Sequence, residues 1–252
     1  MEDTVLSVKD LCVFYKNREG KFIKRNKRKQ VLHNVSFDLK EGEVLGIAGE
    51  SGCGKSTLVK AIVGINKDYT GEIIQKYPDP QMVFQDPYGS LNPAKTIEWL
   101  LKEPLRVDKN RKWTDKEMDE RVKEIMTRVE MPLEMLKRYP SQLSGGQRQR
   151  VCIGIALMRS PKLLICDEPV SALDVTIQAQ IMELLRTLHK QLGISIIFIS
   201  HDLRVVYQIS DNVMIMKNGI VQEYGKTKEL YKYPKAEYTK QLLTAAGIIK
   251  IV

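Results

Sequence analysis

Apolar residues in this chain gather in short unbroken runs, and three of those runs have the length of buried strands. Val44-Leu45-Gly46-Ile47-Ala48 after Glu43 is one, Leu163-Leu164-Ile165-Cys166 is a second, and residues 194–200 form a third. A strand covered on both faces reads as continuous hydrophobicity rather than alternation, so these runs predict buried core strands. Other stretches carry the longer period of helices. Thr57-Leu58-Val59-Lys60-Ala61-Ile62-Val63 is one, and Gln147 to Leu157 is another, with Ser144 where an N-cap belongs. Thr114 and Glu117 have capping-box spacing and predict a helix running to about Glu130, with Met118, Val122, Ile125, Met126 and Val129 on one face. Ile97-Glu98-Trp99-Leu100-Leu101 is a shorter amphipathic stretch. Strands alternating with helices imply an α/β fold. No internal repeat or low-complexity tract interrupts it, and no run approaches the roughly twenty apolar residues that cross a bilayer.

Composition changes this picture in three places. With 252 residues, 43% of them hydrophobic, the chain can bury a substantial core. It begins Met-Glu-Asp-Thr, without a basic segment leading into an apolar one, so no secretory signal is expected and the cytoplasm is. Cys12, Cys53, Cys152 and Cys166 are scattered rather than set at metal-ligand spacing, and are read as packed free thiols. The net charge is +9, and Lys21, Lys24, Arg25, Lys27, Arg28 and Lys29 crowd the segment before Val31. That run reads first as a solvated connector between two strands. The sharper reading is contact with anionic lipid or an acidic loop of a membrane partner, at about 1 kcal/mol per charge. Nucleic acid is not expected, because only Phe22 is interleaved for stacking on bases.

The candidate chemistry sits at the ends of two of the buried runs. Residues 49–56 read Gly-Glu-Ser-Gly-Cys-Gly-Lys-Ser and fit G-x-x-x-x-G-K-[ST] between a strand and a helix. Gly49, Gly52 and Gly54 let the backbone curl so that N–H groups point inward, toward the positive end of a helix. Lys55 would reach the β- and γ-phosphates of a nucleotide and Ser56 would put its hydroxyl on Mg²⁺. Thr57 and the backbone at Glu50, Ser51 and Cys53 complete the cradle. A glycine turn before a ligand-free helix is the plainer alternative. At the end of the second run stand Asp167 and Glu168. Successive strand side chains point opposite ways, which assigns them different jobs: Asp167 to Mg²⁺ through water, Glu168 to the attacking water as general base. Solvated charges at a strand end are the alternative.

Further motifs follow in order: Leu143-Ser144-Gly145-Gly146-Gln147, Gln85, Ser171-Ala172-Leu173-Asp174 and His201. With the phosphate loop and the paired acids, the chain resembles the ATPase subunit of an ATP-binding cassette transporter over nearly its whole length. The resemblance implies a P-loop NTPase, RecA-like core with an antiparallel β-subdomain and an inserted α-helical subdomain. It implies one cassette domain over residues 1–252: a nucleotide-binding core at about 1–87 and 161–225, helices at about 88–160, and a tail at about 226–252. It also implies ATP and Mg²⁺ as ligands, and a head-to-tail dimer with a second cassette. Ser144, Gly145, Gly146 and Gln147 of one subunit would then close over the nucleotide held by the other, with Asp174 in the loop after the acids. His201 would hold the γ-phosphate and the water in line with Glu168. Gln85 would touch both Mg²⁺ and the water, and Tyr15 would stack on adenine, with Phe14 the alternative because only one of two successive strand residues can face it. Cys53 would be a modifiable thiol, shielded from alkylation by ATP. Trp99 would lie near the groove for a membrane subunit's short helix, or else in core packing.

Met82 to Pro93 and Tyr233 to Leu243 are similar to the peptide and nickel importers of this family. That implies import of oligopeptides or dipeptides, with nickel or a metal chelate as the alternative. The partners would be two membrane permeases and, indirectly, an extracytoplasmic solute-binding protein, with the chain peripheral on the cytoplasmic side of the cell membrane. A soluble cassette acting as a mechanical interaction protein is the rival class. Residues 70–81 are shorter than usual, so a β-subdomain hairpin is expected to be trimmed. The cysteine-bearing extension of some relatives is missing from the sequence, and no iron–sulfur cluster is implied.

Overall fold

The computed structural model describes residues 3–16 and 28–249. They divide into two compact units, Met1–Asp79 with Ser195–Val252, and Pro80–Ile194. The units part at different places from the expected core and helical lobe, since the strand bearing the paired acids and the helix after it belong with the helices.

The first unit opens with β1 (Thr4–Lys16), β2 (Arg28–Lys40), β3 (Val44–Ala48), α1 (Lys55–Ile62) and β4 (Tyr69–Gln75). β1 runs antiparallel between β2 and β4. On β2, Val35, Phe37 and Leu39 are buried while Ser36 and Asp38 are exposed, the alternation of a sheet with one face on a core. Leu32 is buried too, although it lies three residues before Val35. A bulge makes this possible: Asn34 takes φ 49, and the register with β1 shifts on both sides of Leu11. Arg28 and Lys29 open β2 opposite Lys16 and Tyr15, so these two members of the basic run are strand residues rather than connector. Lys21, Lys24, Arg25 and Lys27 lie outside the described residues.

The second unit contains β5 (Gln81–Val83), α2 (Pro87–Ser90), α3 (Ile97–Arg106), α4 (Asp115–Arg128), α5 (Gly145–Leu157), β6 (Leu163–Asp167) and α6 (Val175–Leu192). β5 and β6 pair in parallel. The expected capping box forms at α4, where Thr114 and Glu117 bond reciprocally, and the five predicted apolar residues are all buried. Arg121 on α4 then closes the far end of α5, donating to the Leu157 carbonyl at 2.7 Å and the Met158 carbonyl at 3.1 Å. Those carbonyls have no partner within their own helix, and a cation there also suits the helix dipole.

The chain returns to the first unit with β7 (Ser195–Ile199), α7 (Leu203–Ile209), β8 (Asn212–Lys217), β9 (Ile220–Lys226), α8 (Thr227–Lys232) and α9 (Glu237–Ala245). β3 lies parallel between β7 and β8, and β9 closes the row antiparallel to β8. All five residues of β3 and of β7 are buried, as their unbroken hydrophobicity predicts. Asp211 fixes where β3 begins by accepting the Val44 N–H at 2.9 Å. The result is the α/β class expected, with an antiparallel sheet beside parallel strands.

Candidate functional site

In the first unit the phosphate loop leaves the end of β3 and turns directly into α1. Gly49 sits at φ 149, and a Cβ there would lie 2.2 Å from the Met216 carbonyl oxygen, so any side chain would collide with fixed backbone. The loop is pinned from below, because the Gly219 N–H donates to the Cys53 carbonyl at 2.8 Å. Lys55 is only 5% exposed, and its ammonium donates to the carbonyls of Gly49 at 2.7 Å and Glu50 at 3.0 Å. A buried ammonium requires such partners, and these lie within the loop it serves. Gly54, the N-cap of α1, has φ 112 and supplies no side-chain cap. A helix start without a side-chain acceptor, beside a buried lysine and a curled glycine loop, fits the polyphosphate of a nucleotide.

Cys53 is 4% exposed, and its sulfur lies 3.8 Å from the Lys55 ammonium nitrogen. Burial runs against the expectation of a readily modified thiol, since alkylation needs access to the sulfur. Tyr15 is 41% exposed near the end of β1, while Phe14 beside it is half-buried. His201 is exposed in the turn between β7 and α7, and Asp202 caps α7 by accepting the Arg204 N–H at 2.8 Å.

In the second unit β6 ends on Asp167, which is 4% exposed. Glu168 is not the next residue of that strand. It takes the left-handed conformation at φ 49, and its carbonyl accepts the Ser171 N–H at 3.3 Å and the Ser171 hydroxyl at 3.1 Å. The two acids therefore differ through a backbone turn rather than through the strand alternation expected. Left-handed backbone in a glutamate costs on the order of 1–3 kcal/mol, and such residues concentrate at functional sites. The turn brings the Glu168 carboxylate to Gln85, whose amide nitrogen lies 3.2 Å from its Oε2. Within this unit the carboxylate of Asp167 and the amide oxygen of Gln85 are hard donors of the kind Mg²⁺ takes. Among the described residues no cluster of three or more His, Cys, Asp or Glu is gathered to hold a metal by itself.

The second glycine loop behaves differently from the first. Ser144 is the N-cap of α5, accepting the Gln147 N–H at 3.3 Å, while the Gln147 side chain accepts the Ser144 N–H at 2.9 Å. A Cβ on Gly146 would lie 2.6 Å from Ile177 Cγ2, so this glycine is required by close packing of α5 on α6. Asp174 caps α6 through the N–H groups of Thr176 and Ile177, at 3.1 and 3.0 Å.

Two residues at these sites escaped the sequence reading. Tyr238 on α9 is 7% exposed, accepts the Glu50 N–H of the phosphate loop at 3.4 Å and carries the Lys217 ammonium 4.3 Å from its ring centre. Burial pushes its phenol above the ordinary tyrosine value. Arg148, one residue past Gln147, donates to the Pro140 carbonyl at 2.6 Å and lies 3.9 Å from the ring centre of Tyr88, joining the start of α5 to the segment after Gln85. Neither contact has a local signal. Nothing near Arg148 points to residue 88, and nothing near Tyr238 points back to residue 50.

Comparison with known proteins adds independent findings. A family model described as ABC transporter matches residues 32–171. The chain is 44% identical to the oligopeptide transport ATP-binding protein OppF of Escherichia coli strain K12, over 97% of this chain and 78% of that protein. It is 40% identical to the oligopeptide transport ATP-binding protein AppF of Bacillus subtilis strain 168, over 99% of this chain and 80% of that one. Among solved structures it resembles the dimeric post-hydrolysis state of the ATP-binding cassette MJ0796 bound to ADP and Pi. The TM-score there is 0.74 at 29% identity, covering 88% of this chain and 98% of that one.

Proposed function

The chain belongs to the ABC transporter family, and from that premise we propose that it is the ATP-hydrolysing subunit of a transporter that imports oligopeptides or dipeptides. The hydrolytic reading is carried by one observation, the 3.2 Å contact that holds the Glu168 carboxylate against Gln85. The peptide reading is supported by the 44% identity to an oligopeptide transport ATP-binding protein.

The roles follow from the chemistry of each group. The loop from Gly49 to Thr57 binds the phosphates, with the Lys55 ammonium exchanging its loop carbonyls for β- and γ-phosphate oxygens. Tyr15 stacks on the adenine ring. Mg²⁺, when bound, neutralises charge developing on the phosphates, and Ser56, Gln85 and Asp167 are its assigned donors. Glu168 takes a proton from the attacking water, and Gln85 orients the carboxylate that does so. His201 holds water and γ-phosphate in line. Ser144 to Gln147 meet a nucleotide held by a second cassette, so hydrolysis requires dimerisation, and Asp174 lies in the loop that follows the acids. The division into a nucleotide-binding core at about 1–87 and 161–225 and helices at about 88–160 belongs to this proposal as the functional partition. Among the described residues no helix is long and apolar enough to cross a membrane. In the proposed transporter two permease subunits supply the path, with this chain peripheral on the cytoplasmic face and a solute-binding protein delivering the peptide from outside.

The test is to isolate tagged Glu168→Gln protein from its own membranes in the presence of ATP and identify what accompanies it. Two multi-span permeases, a second cassette and a peptide-loaded binding protein are the expected result. Ribosomal or DNA-repair partners without any membrane protein would overturn transport while leaving the ATPase assignment standing. Glu168→Gln should still bind ATP while turnover drops by about 10²–10⁴-fold, the usual contribution of a general base.

A further inference from the structure

A cavity of about 600 Å³ opens in the first unit between α7, α8 and the segment after α9. That volume lies within the range of about 300–1,000 Å³ typical of small-molecule sites. None of the residues assigned to nucleotide lines it. Among the described residues its lining is of one charge sign: Arg204, Lys228 and Lys232 are cationic, and no Asp or Glu contributes. Gln208 adds a neutral amide, and the rest is apolar or aromatic. Tyr207 and Tyr231 meet at 5.0 Å between ring centres with a 47° tilt, and Ile248 and Ile249 form an aliphatic wall. Tyr207 is 47% exposed, a large ring open to the cavity, whereas Tyr231 is 4% exposed.

The polar groups that the cavity already uses tie it to α7. Tyr231 donates from its hydroxyl to the Leu203 carbonyl at 2.7 Å, and Arg204 donates to the Ala246 carbonyl at 2.7 Å. The Lys232 ammonium lies 4.9 Å from the Tyr233 ring centre, a weak engagement. Three like charges around an apolar hollow repel one another. A ligand that brings one negative group and one hydrophobic body relieves that repulsion and covers the exposed ring in the same event.

We propose that this cavity is a binding site for an amphiphilic anion, a carboxylate or phosphate carried on an apolar body, and that α7 senses its occupant. α7 begins two residues after His201; its first carbonyl is held by Tyr231 of the cavity wall, and its Arg204 by the Ala246 carbonyl just after α9. An anion drawing Arg204 from the Ala246 carbonyl alters what anchors the helix, and with it the turn that presents His201. The binding half stands apart from the proposed ATPase role. The sensing half rests on that role only for its consequence, since the motion itself is observable without turnover.

The full chain should be titrated calorimetrically with octyl phosphate, with octanol as the uncharged control. Flotation on vesicles of phosphatidylglycerol and phosphatidylcholine is the parallel arm. Lys228 and Lys232 are exposed, so the double variant Lys228→Glu/Lys232→Glu should fold, and its melting temperature checks this. The expected result is saturable binding of octyl phosphate, absent for octanol and weakened about tenfold or more in the double variant, as for loss of charge-assisted contacts. Charge-dependent flotation instead of soluble binding would uphold the site and identify a lipid headgroup as the source. If both probes bind the double variant as well as the wild type, or neither binds the wild type, the site is refuted. The chain has three histidines, so the His201 ring signals can be followed by NMR. They should shift on probe binding in the wild type and stay fixed in the double variant. Unmoved His201 signals at saturation would overturn the sensing half, whatever the ATPase result.

Discussion

The two glycine loops, residues 49–54 and 144–147, share a composition and differ in how their polar groups are used. In the first, glycine is required by the backbone itself, because Gly49 takes φ 149 against the Met216 carbonyl. The helix that follows starts without a side-chain cap, and the lysine donates to the loop. In the second, Ser144 and Gln147 already satisfy each other, and Gly146 is set by its packing on Ile177. The first loop leaves its helix start without a side-chain cap, whereas the second is a complete, self-satisfied helix start. A subunit so divided should bind nucleotide by itself through one loop and need an approaching partner for the other.

Substitutions can break or sharpen that contrast. The largest effect expected is on nucleotide affinity. Lys55→Ala should weaken ATP binding about tenfold or more, the size of a lost charge-assisted contact, while Ser144→Ala leaves it unchanged in the isolated chain. Equilibrium binding of a fluorescent ATP analogue measures both, and equal losses would erase the distinction. Next come the glycines. Gly49→Ala should destabilise by about 1–3 kcal/mol from backbone conformation alone and also lose ATP affinity. Gly146→Ala should cost about 1–3 kcal/mol through overpacking with affinity retained. Urea unfolding beside the binding assay separates them. Smaller again is the cap: Ser144→Ala should lower stability by about 1 kcal/mol, to be set beside Thr114→Ala at the start of α4.

The smallest effect distinguishes the capping boxes of α5 and α4. The Glu117 carboxyl is held down at about 2 by the Thr114 N–H first, then the Thr114 hydroxyl and Arg111. A depressed carboxyl contributes stability above its ordinary value of 4.5 and loses it as pH falls toward about 2. The α5 box uses the neutral Gln147 and has no such dependence. NMR titration of the Glu117 side chain should give a midpoint near 2, moving up toward the ordinary range in Thr114→Ala. A midpoint that ignores the substitution would remove the cap as its cause.

Much of the molecule was readable in one dimension because the relevant interactions span few residues. The N-caps at Thr114 and Ser144 bond three residues ahead, and the strands β3 and β7 announce themselves by unbroken hydrophobicity. The glycine-rich segment at 49–56 is an eight-residue pattern, and its place between β3 and α1 was legible from it. Glu168 marks where that reading stopped short. Its neighbour Asp167 ends a strand, and alternation was the natural inference, yet the backbone turns left-handed at Glu168 and delivers the carboxylate to Gln85, 83 residues earlier in the chain.

The sequence by itself determined the α/β class, the glycine-rich segments at 49–54 and 144–147, the paired acids and the helix starts, because each depends on local backbone chemistry and burial periodicity. Tertiary structure alone decided that Tyr238 reaches the phosphate loop, that Arg148 stacks on Tyr88, that Gly146 exists for Ile177, and that three cations and two tyrosines surround one cavity. These contacts join positions tens to nearly two hundred residues apart. No local preference encodes them, since they exist only once the chain has closed the long loops between them.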